Sequence, residues 1–83
     1  MNNKLFVGNI SWNVDDAKLA EVFAVVGTVV EAVIIKDRQT GRSRGFGFVT
    51  MSSAEEAEKA VAELDQKDVD GRAITVSIAQ ERK

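Results

Sequence analysis

The stretch Arg44-Gly45-Phe46-Gly47-Phe48-Val49-Thr50-Met51 constrains this chain more than any other. In an extended strand, side chains alternate between two faces. Arg44, Phe46, Phe48 and Thr50 then share one face, and Gly45, Gly47, Val49 and Met51 share the other. Slipping the register by one residue would bury the phenylalanines and expose the valine. The strand must therefore lie in a sheet with one face covered and an aromatic face left open.

The remaining segments fit such a sheet. Lys4 to Asn9 reads as a strand with a Gly-Asn exit. Asp15 is an N-cap for a helix running to about Val26, and Leu19, Val22, Phe23 and Val26 form its i, i+3, i+4, i+7 stripe. Gly27 fits the C′ position of that helix. Thr28 to Lys36 is a strand rich in Val and Ile, and Asp37 to Ser43 a polar loop. Ser53-Ala54-Glu55-Glu56 reads as a capping box for a helix bearing Ala57, Ala60, Val61 and Leu64. Asp70-Gly71 marks a tight turn, and Ala73 to Ile78 alternates as a half-buried strand.

The order βαββαβ predicts an α+β, ferredoxin-like sandwich: a four-stranded antiparallel sheet with two helices on one face. The expected inward sets are Leu5/Val7, Val30/Ala32/Ile34, Val49/Met51 and Ile74/Val76/Ile78. The outward set holds Lys4, Phe6, Val33, Arg44, Phe46, Phe48, Thr75 and Ser77. Residues 2–80 are expected to form one domain, with 81–83 a short polar tail.

Composition excludes several kinds of chemistry. The chain has neither Cys nor His, so disulfides, thiolate nucleophiles and the most frequent general base are absent. No Ser sits beside a base, and no carboxylate pair falls in an expected cleft, so no catalytic residue, cofactor or metal site is expected. Gly41, Gly45 and Gly47 do not form a phosphate-cradling loop, because no Gly-Lys-Ser/Thr follows and no helix starts there. In a strand such glycines permit close approach of a backbone or helix. No apolar run reaches the ~20 residues needed to span a bilayer.

The net charge of −2 conceals an uneven distribution. Lys36, Arg38, Arg42 and Arg44 face a single nearby anion, Asp37, whereas residues 53–71 carry seven anions against two cations. The basic end coincides with the aromatic strand. Aromatics beside cations on an open sheet suit stacking on unpaired bases with phosphate contacts at the edge. The loop arginines also suit a plain solvated surface, and the acidic helix faces are read that way. Asn9 is read as a turn residue ahead of a base contact, and Trp12 as a hydrophobic plug over the helix–sheet edge ahead of a base-stacking residue.

These residues resemble the RNA recognition motif family. The segment Arg44–Met51 matches the family's octamer (RNP1) at seven of eight positions, and Leu5-Phe6-Val7-Gly8-Asn9-Ile10 is similar to its hexamer (RNP2). The loop from Asp37 to Arg44 is similar to small single-domain bacterial and plant glycine-rich RNA-binding proteins. The family's octamer usually ends in an aromatic, and Met51 replaces it at an inward position. Val33 and Ile35 stand outward in strand two, where the family often carries polar groups.

The resemblance implies single-stranded RNA binding, with single-stranded DNA a weaker ligand. It also implies work as an RNA chaperone or post-transcriptional regulator. A monomer is expected, in the cytoplasm, with nucleus and organelle left open. Phe6 and Phe48 would stack on successive bases, Phe46 would pack against riboses, and Arg44 would pair with a phosphate. Lys4, Lys36, Arg38 and Arg42 would hold backbone, and Ser77, Ala79 and Gln80 would bond base edges. The alternative is a protein-interaction module that offers the same face to a peptide.

Overall fold

The computed structural model describes residues 3–41 and 43–79, with Ser43 and Arg44 described by their backbone alone. The expected polar tail, residues 81–83, lies outside the described residues. The elements are β1 (Lys4–Gly8), α1 (Asp16–Ala24), β2 (Val29–Lys36), β3 (Ser43–Met51), α2 (Ala54–Leu64), β4 (Asp68–Val69), β5 (Arg72–Ala73) and β6 (Thr75–Ile78). The main sheet has the order β2-β3-β1-β6 and is antiparallel throughout.

Both helices contribute to one core. Leu19 and Phe23 from α1, and Ala57, Ala60 and Leu64 from α2, pack with Leu5, Val7, Val49, Met51, Ile74 and Val76 from the sheet. Phe23 is fully buried, unlike the other three phenylalanines. Met51 is fully buried too, as its inward register requires.

Several expectations are corrected. Helix α1 stops at Ala24, and Gly27 does not adopt the left-handed C′ conformation. Val26 still reaches the core, through a turn in which its amide donates to the Phe23 carbonyl at 3.1 Å. Val30 is not inward. A bulge between Val29 and Glu31 turns it out to 64% exposure, and Val29 packs on the core in its place. The segment from Ala73 to Ile78 is not one strand. Arg72–Ala73 pairs with Asp68–Val69 in a separate hairpin, whose turn residues Asp70 and Gly71 both have positive φ. That hairpin adds buried Val69 to the core.

An aspartate at one end of each helix takes one amide on each edge strand of the main sheet. The Ile34 amide of edge strand β2 donates to Asp16 Oδ1 at 2.8 Å, and the Val76 amide of edge strand β6 donates to Asp65 Oδ1 at 2.9 Å. Asp16 opens α1 and Asp65 closes α2, so the same contacts dock each helix end on the sheet.

The capping residues behave as their positions demand, with one departure. Asp15 Oδ1 accepts from the Lys18 amide at 2.8 Å, and Ser53 Oγ from the Glu56 amide at 3.2 Å. The Glu56 carboxylate accepts from the Ser52 hydroxyl and, at 3.3 Å, from the Thr28 amide. It thereby clasps the start of α2 to the α1–β2 connection. Gly27 leaves room for this: a Cβ there would lie 2.7 Å from Glu56 Cδ.

The Ser52 hydroxyl, ahead of the Thr28 amide, holds the Glu56 carboxyl below its usual value of 4.5. A carboxyl with a depressed folded-state pKa stabilises the fold above its unfolded pKa and loses that effect as pH falls through the folded value. Chemical denaturation of Glu56→Gln should therefore show lower stability than the parent at pH 7, with the difference shrinking below about pH 4.5. A gap that stays constant down to pH 2 would disprove the ionic clasp.

Candidate nucleic-acid interface

The register assembles one row across the helix-free face. Ser77 of β6 lies opposite Phe6 of β1, Phe6 opposite Phe48 of β3, and Phe48 opposite Val33 of β2. The residues between them in sequence, Leu5, Val7 and Val49, are wholly buried on the other face. The alternation that keeps the valines in the core thus keeps the phenylalanine rings out of it.

The rings form a cluster. Phe6 and Phe46 have centroids 5.8 Å apart with planes tilted by 30°, and Phe6 meets Phe48 edge-on at 5.8 Å. Each ring is half-buried and still presents surface to a ligand. The Lys4 ammonium sits 4.8 Å from the Phe48 centroid and brings a cation into the cluster. The next row pairs Lys4 with Thr50 and Thr50 with exposed Glu31, so one carboxylate marks the β2 rim.

Two glycines make this surface possible. Gly47 lies where a Cβ would stand 2.3 Å from the Val33 carbonyl oxygen, so only glycine lets β2 approach β3 between the two phenylalanines. Gly8 follows Phe6 on the outward parity, and a Cβ there would lie 2.8 Å from Thr75 Oγ1 and 3.2 Å from Phe6 Cε2. The empty space above Gly8 is where the Phe6 ring rests. The Phe6-x-Gly8 spacing is the sequence signal of this role.

Gly45 serves differently from the close-approach glycine expected there. Between the pairs Ile34–Gly47 and Lys36–Ser43, β3 spends three residues where β2 spends one. Gly45 takes φ +84 in this bulge, and its carbonyl accepts from the Ile10 amide at 2.8 Å. Strict alternation therefore does not carry from Phe46 back to Arg44. The Arg44 side chain lies outside the described residues, as do Arg42 and Gln80.

Lys36 ends β2, and Arg38 lies in the turn beyond it; both are exposed. The turn is ordered by Asp37, whose Oδ1 accepts from the Gln39 amide and whose carbonyl accepts from the Gly41 amide, each at 2.8 Å. Ser77 is exposed beside Phe6. The Ala79 amide is already used, donating to the Lys4 carbonyl at 2.9 Å.

Asn9 is a turn residue, with φ +56. Its side-chain amide donates to the Ala73 carbonyl at 2.7 Å, and its Oδ1 accepts from Arg72 at 2.8 Å. Trp12 contradicts the plug expectation: it is 68% exposed, while Ile10 and Val14 seal the helix–sheet edge. Among the described residues, no group of three acidic side chains is placed to hold a metal ion, and no helix is long and apolar enough to cross a membrane.

Comparisons with known proteins agree with this geometry. The family model described as RNA recognition motif matches residues 5–75. The chain is 54% identical over 81 residues to a 31 kDa chloroplastic ribonucleoprotein of Nicotiana plumbaginifolia, covering 98% of this chain and 28% of that protein. It is 51% identical over 82 residues to the mitochondrial glycine-rich RNA-binding protein 4 of Arabidopsis thaliana, covering 99% of this chain and 60% of that one. It thus spans less than two thirds of these curated relatives. The crystal structure of the RNA-binding protein PG1 superposes with a TM-score of 0.89 at 40% identity, over 96% of both chains. A Sxl-lethal protein/RNA complex superposes at 0.92 with 26% identity, over the whole of this chain and 50% of that one.

Gly8→Ala tests how the rings are seated. The added methyl should push the Phe6 ring off the sheet and shift the aromatic NMR signals of Phe6 and Phe46, with a loss of about 1–3 kcal/mol in stability from overpacking. Unchanged aromatic signals would show that the cluster does not need the gap.

Proposed function

The chain belongs to the RNA recognition motif family, and on that footing we propose that it binds single-stranded RNA across the open sheet face without catalysing a reaction on it. The observation that carries this reading is the Phe6–Phe46–Phe48 cluster, held on a helix-free face by the register that buries Leu5, Val7 and Val49. Phe6 and Phe48 stack on successive bases, and Phe46 packs against the riboses between them. Lys4 neutralises phosphate beside Phe48. Lys36 and Arg38, with Arg42 and Arg44, hold the strand where it leaves the sheet. Ser77, the Ala79 carbonyl and Gln80 supply hydrogen bonds to base edges at the β6 side.

Two stacked bases at about 1–3 kcal/mol each, with about two to four phosphate contacts, place Kd on the order of micromolar. Stacking accepts every base, so selectivity is modest, and DNA binds more weakly for want of 2′-hydroxyls. Weak, tolerant binding suits an RNA chaperone or post-transcriptional regulator, and the similarity to a ribonucleoprotein and a glycine-rich RNA-binding protein supports RNA as the ligand. The site of action follows the RNA, in the cytoplasm or in an organelle, and the chloroplastic and mitochondrial relatives support the organelle.

Titration of a uridylate decamer should give about 5- to 150-fold weaker binding for Phe48→Ala than for the parent. Raising salt from about 50 to 200 mM should weaken the parent roughly 7- to 50-fold, from two to four phosphate contacts on a single strand. A folded Phe48→Ala protein with parental affinity would refute the reading. Salt-insensitive binding would instead favour an apolar peptide as the ligand.

A further inference from the structure

We propose that Lys4 guards the Phe48 stacking position. Its ammonium stands over the ring in the free protein, and a base stacks there when a phosphate of the same strand draws the ammonium off. The proposal rests on the RNA-binding reading above and adds a condition to it: the ligand must bring its own negative charge.

The sheet register puts the two side chains within reach of each other. Lys4 lies directly opposite Thr50, and Phe48 is its diagonal neighbour. Diagonal positions on one face of an antiparallel pair are bridged by long and aromatic side chains. The Lys4 ammonium lies over the Phe48 ring, 4.8 Å from its centroid. Lys4 is half-buried, although lysine is ordinarily among the most exposed residues. Its stem therefore covers apolar surface, and its charged end turns onto the aromatic face.

That position conflicts with stacking. A base stacked on Phe48 lies about 3.5 Å above the ring. An ammonium 4.8 Å from the centroid stands in the same layer, so the two cannot occupy the ring together. Phe6, edge-on at 5.8 Å, closes another approach to Phe48.

Magnitudes decide which ligands can make the exchange. A cation over an exposed ring contributes about 2- to 5-fold, and an incoming base removes that contribution. One phosphate contact on a single strand contributes about 8-fold at 50 mM salt, relative to 1 M, and about 3-fold at 200 mM. Trading the ring for a phosphate is therefore favourable at low salt and nearly neutral at 200 mM. An uncharged ligand leaves the displaced ammonium without a partner from the ligand. Exposed Glu31 follows Thr50 along the same row, so the phosphate meets less repulsion on the β1 side of the ring than on the β2 side.

Three decamers separate these contributions: uridylate, thymidylate, and thymidine joined by uncharged methylphosphonate links. Each is titrated by NMR into the parent, Lys4→Ala, Lys4→Arg and Phe48→Ala. The Lys4 carbonyl keeps its bond from the Ala79 amide in the variants, and unchanged melting temperatures check the fold. Lys4→Ala should bind the uncharged decamer about 2- to 5-fold more tightly than the parent. It should bind the charged decamers about 2- to 4-fold more weakly at 50 mM salt, and its plot of log affinity against log salt should be shallower by about 0.7. Lys4→Arg should match the parent on all three. In the free parent the Phe48 ring current should shift the Lys4 ε-methylene protons upfield, and uridylate should abolish that shift. If Lys4→Ala binds the uncharged decamer no more tightly than the parent, the Lys4 inference falls, and the RNA reading stands as long as Phe48→Ala still loses uridylate. If the parent binds neither charged decamer, both fall.

Discussion

The pairing of β1 with β3 decides everything else about this molecule. Leu5 opposite Val49 and Phe6 opposite Phe48 put aliphatic residues on one side of the two central strands and aromatics on the other. Apolar residues on both faces make the sheet costly to leave bare, and two helices can cover only one side. The side they cover carries Leu5, Val7, Val49 and Met51, whose flexible or branched shapes interlock with Leu19, Phe23 and Leu64. The uncovered side keeps rings that shield one another and leave flat surface for planar ligands.

This division depends on residues that contribute no side chain. Gly47 admits the Val33 carbonyl into the space a Cβ would fill, which keeps β2 flush beside the aromatic strand. Gly8 leaves the hollow in which Phe6 rests. Gly45 turns the strand out of plane and offers its carbonyl to Ile10, so the platform and the β1–α1 loop are joined at one residue. The aromatic surface is therefore shaped as much by missing methyl groups as by the rings.

Most of the architecture was legible because it obeys simple periods. Leu5/Val7 and Val49/Met51 follow the two-residue strand repeat, and Leu19/Phe23 and Ala57/Ala60/Leu64 follow the helical one. The failures fall where a period is interrupted. Val30 was misplaced because a bulge adds a residue to β2, and alternation read from sequence has no term for an insertion in pairing. The hairpin of β4 and β5 is too short to show a repeat, although its Asp70-Gly71 turn was visible. Trp12 was misread for another reason: whether a loop aromatic turns inward depends on which neighbours already fill the edge, and here Ile10 and Val14 do. The candidate site was legible at Phe6, Phe46 and Phe48, where parity alone sufficed. It was not legible at the Ala79 amide, whose use by Lys4 depends on the pairing of β1 with β6.

Asp16 and Asp65 each occupy an amide on an outer strand of the sheet. Unsatisfied strand amides are what let one chain template another, and a short or capped border denies them that role. Each carboxylate therefore takes one amide out of the run that a neighbouring copy could pair with. Two groups placed for helix docking thus also interrupt the borders of the sheet.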